Sequence, residues 1–97
     1  MGKKGYIVGF VEKKDNNFDL KIVNCVSDDF DKLADITEKH IDNLRAELNN
    51  VDGSGVYMLF GGRYKNADEF GTVAEYYIQE MRSDTIYVKY KIFEVEL

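Results

Sequence analysis

The 97-residue chain contains no proline, one cysteine and one histidine. Without proline or a low-complexity tract nothing marks a linker, and a chain this short cannot house two hydrophobic cores, so residues 1–97 are expected to form one domain. Cys25 has no partner for an internal disulfide, and Cys25 with His40 falls short of a Cys/His zinc site. Long apolar runs are also missing: "MGKK" precedes only "YIVGFV", too short for a signal-peptide core or a bilayer span. Tyr6 stands where the myristoylation pattern requires Ser or Thr. These absences predict a cytoplasmic protein with no membrane partner. Neither GxGxxG, GxxxxGK[ST] nor a twelve-residue calcium loop occurs, so no cofactor and no metal is expected.

What the chain has is apolar material, 44% of residues with seven Tyr and six Phe, and an uneven charge distribution. Residues 28–52 hold eight acids and three cations, a net of −5, while the other 72 residues balance ten acids with ten cations. The net charge therefore sits on one element. Direct nucleic-acid binding is not expected, because it needs a basic footprint that displaces counterions from phosphates.

"GYIVGFVEKKDNNFDLKIVNCV" alternates twice, with Tyr6, Val8 and Phe10 on one side of a first strand and Phe18, Leu20 and Ile22 on one side of a second. The turn-forming "KKDNN" between them predicts a β-hairpin over 5–13 and 17–26. From Ser27 the period changes: Phe30, Leu33, Ala34, Thr37, Ile41, Leu44, Leu48 and Val51 line one helical face, with Ser27 or Asp28 as cap. "GVYMLF" (55–60) reads as a central strand covered on both faces. Phe70, Val73, Ala74, Tyr77, Ile78 and Met81 predict a second amphipathic helix over 67–82, before a long last strand. The order ββαβαβ implies an α/β (α+β) two-layer sandwich, a four-stranded mixed sheet with two helices on one face. The segments "DDFDKLAD" and "DEFGTVAE" echo each other forty residues apart, as expected of two helices that pack alike on one sheet. In the last strand the apolar phase flips between Ile92 and Phe93. This predicts either a bulge or an apolar outer sheet face suited to a homodimer or a covering partner.

Two groups of residues are candidate sites. Asp31, Asp35, Glu38 and Asp42 follow at steps of four, three and four and form one ridge, expected on the solvent face of the first helix. Like charges at this spacing repel slightly, so helix stability does not explain them. The ridge suits a protein partner with a basic surface. The second group is Gly61, Gly62, Arg63 and Lys65 in "GGRYKN", expected to neighbour Asp28 and Asp29 at the same end of the sheet. It would form an anion or zwitterion pocket for a small ligand or nucleotide. Asn66 and Glu69 have capping-box spacing, which would fill the same helix amides, and the glycines suit a bulge or a close backbone contact. Cys25 in the second strand and His40 at the margin of the first helix lie too far apart for a nucleophile–base pair. The resulting expectation is a small, non-enzymatic protein-binding module, in its narrow form an acidic inhibitor or modulator of a nucleic-acid-binding protein. The alternative is a dimeric ligand sensor using 27–29 and 61–66.

Overall fold

The computed structural model describes residues 4–14, 17–52 and 55–96, and for 10–26 and 52 it describes the backbone alone. Strands β1 (Lys4–Lys14) and β2 (Asn17–Ser27) precede helix α1 (Phe30–Asp52), followed by β3 (Tyr57–Arg63), β4 (Thr72–Glu80) and β5 (Thr85–Glu96). All strand pairs are antiparallel, and the five strands lie in the order β2-β1-β5-β4-β3. The fold is α+β, with one helix on one face of the sheet.

The expected hairpin and first helix are both present. Asp29 caps α1 by accepting a hydrogen bond from the Lys32 amide at 3.1 Å, and the Ser27 hydroxyl accepts one from the Asp29 amide. Leu33, Ala34, Thr37 and Ile41 are buried against Val8, Ala74, Tyr76, Ile78, Val88, Tyr90 and Ile92. Burying side chains of this size contributes about 1.5–3 kcal/mol each for the larger aliphatics. Val51, at the end of the apolar stripe, is instead exposed.

The mixed sheet with two helices is not what forms. Residues 67–82 contain no helix but a loop and strand β4, so the sheet gains a fifth strand and the order becomes ββαβββ. Five of the nine residues in "TVAEYYIQE" are β-branched or aromatic, a composition that fits a pleated surface. Ala74, Tyr76 and Ile78 alternate into the core, while Tyr77 stacks on Phe60 on the far face, with ring centroids 5.4 Å apart. A bulge at Val73, where two residues of β4 oppose one of β5, adds Val73 to the buried set. Apolar doublets spaced by four thus imitate a helical stripe. The "DEFGTVAE" echo accordingly joins a helix to a loop and strand, not to a second helix.

Two further corrections follow from this topology. β3 is an edge strand, not a central one, and it runs through Gly61, Gly62 and Arg63, which were expected in a loop. The capping box of Asn66 and Glu69 caps nothing. Asp68 organises that loop instead, its Oδ1 accepting from the amides of Phe70 and Thr72. At the end of β5 the phase flip is not corrected by a bulge in β5. Ile92 pairs with Val8 towards the helix, and Phe93 pairs with Ile7 on the outer face, both half-buried there. That face also carries Glu75 between Lys89 and Lys91, 3.7 Å from each ammonium.

Candidate functional site

α1 carries a polar seam at a strict four–three repeat: Asp31, Asp35, Glu38, Asp42, Arg45 and Asn49. Such spacing keeps all six on one flank, and the structure places that flank over edge strand β3. The ridge therefore does not lie opposite the core as expected. It borders the sheet edge, and its members are tied to β3 and to each other.

Arg63 is the focus. Side chains alternate along a strand, and Arg63 shares the helix-facing side of β3 with Tyr57 and Leu59. Its Nη1 donates to Asp31 at 3.0 Å and its Nη2 to Asp35 at 2.6 Å. Nε and Nη2 together fork onto the two oxygens of Glu38 at 2.9 and 3.0 Å. Bidentate guanidinium–carboxylate pairs are the most geometrically exacting ion pairs available to a protein. Tyr76, directly opposite Gly61 on β4, donates to the same Glu38 carboxylate at 2.5 Å. Further along the seam Asp42 pairs with Arg45 at 2.8 Å.

The electrostatics follow the geometry. The Arg63 guanidinium, helped by the Tyr76 hydroxyl, holds the Glu38 carboxyl below the usual range against a partial opposing effect of burial. Burial first, then the Glu38 carboxylate, push the Tyr76 phenol well up, so it stays a neutral donor. Arg63 is held protonated by the hydrogen bonds it donates to Glu38 and Asp35. One guanidinium meets three carboxylates, so this cluster retains two negative charges in a fixed arrangement. Asp31 and Asp35 remain 81% and 72% exposed.

The second expected site does not assemble as one unit. Gly61, Gly62 and Arg63 belong to β3, and Arg63 turns to the seam rather than to Asp28 and Asp29. Asp29 serves as helix cap and Asp28 is exposed. Lys65 instead borders a shallow recess of about 340 Å³ with Lys4, Tyr6, Phe30, Tyr64 and Glu94. Within it Lys4 pairs with Glu94 at 3.3 Å. His40 bonds the Tyr90 hydroxyl at 3.1 Å, and the Cys25 side chain lies outside the described residues. Among the described residues no three His, Cys, Asp or Glu side chains are placed to hold a metal ion. No described helix is long and apolar enough to cross a membrane.

Reading the residues alone missed the union of Arg63 with the ridge and the role of Asn49. The signal for the second was present, since Asn49 continues the four–three repeat. No protein-family model, no curated protein and no solved structure matches this chain.

Proposed function

We propose that the protein is a non-enzymatic binding module that presents the acidic flank of α1 to a basic surface on a partner protein. In its narrow form it modulates or inhibits a partner whose basic surface otherwise meets nucleic acid. One observation carries this reading: Arg63 gathers Asp31, Asp35 and Glu38 around one guanidinium and cancels only one of their three charges. Side chains ordered before binding lose less entropy on binding, and acids three and four positions apart, with β-carbons roughly 5–6 Å apart, offer a partner's cations several acceptors on one flank. Single exposed ion pairs contribute only about 0–1 kcal/mol each to folding; the bidentate Arg63–Glu38 fork is the exception, so stability explains Glu38 better than it explains the more exposed Asp31, Asp35 and Asp42.

The test is capture of a basic partner from cell lysate at low and moderate salt by the wild type and by Asp31→Asn/Asp35→Asn/Asp42→Asn. Glu38 is kept so that the fork with Arg63 survives. Capture that weakens with salt and disappears in the variant supports the reading. Equal capture by both forms overturns it.

A further inference from the structure

We infer that the outer edge of β3 takes an extended, basic segment of the partner as a sixth strand. This deepens the function proposed above and rests on it. The hydrogen bonds that bracket β3 establish which backbone groups are free. The Met81 amide donates to the Val56 carbonyl at 2.9 Å, and the Tyr64 amide donates to the Val73 carbonyl at 2.8 Å. In an antiparallel ladder these bonds flank the pairs Tyr57–Glu80 and Arg63–Ala74, so Tyr57, Leu59, Gly61 and Arg63 turn their amides and carbonyls away from β4. At Tyr57 both groups are taken by the side-chain amide of Asn49, which accepts from the Tyr57 amide at 2.9 Å and donates to its carbonyl at 3.0 Å. Asn49 thus supplies the bonds a neighbouring strand would supply, and the sheet edge beyond it runs open from Leu59 to Arg63.

Exposed edges are ordinarily blunted, by cations, proline or covering segments. Here the side chain that would most directly blunt it, Arg63, is drawn onto the helix instead. The pairing of β3 with β4 stays continuous through Gly61, so the edge remains a usable template.

The charges around the edge specify the occupant. A strand added here would place the residues opposite Leu59, Gly61 and Arg63 on the helix side, beneath Asp31, Asp35 and Asp42, where lysine or arginine fits. The intervening residues would fall on the outer face beside Phe60 and the half-exposed Met58, where apolar side chains fit. The expected segment alternates basic and apolar residues. A second copy of the chain is disfavoured, because pairing β3 with β3 about a two-fold axis would set two acidic flanks against each other.

The experiment uses two synthetic octapeptides of equal charge, (Lys-Val)4 and the same sequence with each lysine backbone amide N-methylated, titrated into isotope-labelled protein. The first is expected to bind at least tenfold more tightly and to slow hydrogen exchange at the Leu59 and Gly61 amides. Equal binding of the two peptides, binding without protection of those amides, or no binding at all overturns the inference. The triple acid variant separates the two levels. If it loses a captured partner while N-methylation makes no difference, the acidic flank stands and the strand addition falls.

Discussion

Glu38 accepts two hydrogen bonds from Arg63 and one from Tyr76, and each favours its charged form. A carboxyl whose folded pKa is depressed contributes stability above its unfolded value, about 4.3, and loses it as pH falls through the lowered folded value. Asp68 acts in the same direction, held down by the amides of Thr72 and Phe70. The melting temperature is therefore expected to fall on acidification below about pH 4.5. In Glu38→Gln the melting temperature at pH 7 should be lower than wild type and its decline in acid shallower. Thermal melts of both proteins from pH 7 to pH 3 check this, and parallel curves would detach Glu38 from the acid transition.

The pairing of β3 with β4 depends on one residue in particular. Gly61 has φ +109°, and a β-carbon there would lie 2.1 Å from the Glu75 carbonyl oxygen. Gly61→Ala combines a disfavoured backbone angle with a collision against backbone that cannot move alone. It should destabilise by more than about 1 kcal/mol, read as a lower urea midpoint at unchanged slope. The same strand shows what was legible in the sequence. Its apolar half announced a strand, and the close backbone contact at Gly61 was anticipated from the glycine pair. Its continuation through Gly62 to Arg63 was not, because glycines after an apolar run also read as a stop. The first hairpin and α1 were legible because the alternation over 6–10 and 18–22 and the helical period from Phe30 are each clear, although the hairpin register shifts between Ile7 and Val8. β4 was not, since it is apolar on both faces and bulged at Val73, which reproduces helical spacing. The acid ridge was legible as a line, but only the sheet topology brings Arg63 beneath it. Residue spacing within one helix carries no information about a cation 25 to 32 positions away.

At the scale of the molecule, α1 packs on β3, β4 and β1, and the fully buried Ile78 and Ile92 lie in the β4–β5 pair. Native-state hydrogen exchange should consequently be slowest at Ile78 and Ile92, and faster by orders of magnitude at the outward amides of Leu59 and Gly61 in the unbound protein. Uniform protection across the sheet would contradict this arrangement. The distribution of charge has a mechanical consequence as well. All of the net charge lies between residues 28 and 52, on or beside the helix layer, while the rest of the chain, which holds all five strands, is balanced as a whole. A molecule built this way has a permanent dipole directed across its thickness. In the field of a positively charged surface it experiences a torque before it experiences contact, and it turns helix first, with the β3 edge on the flank beside that approach.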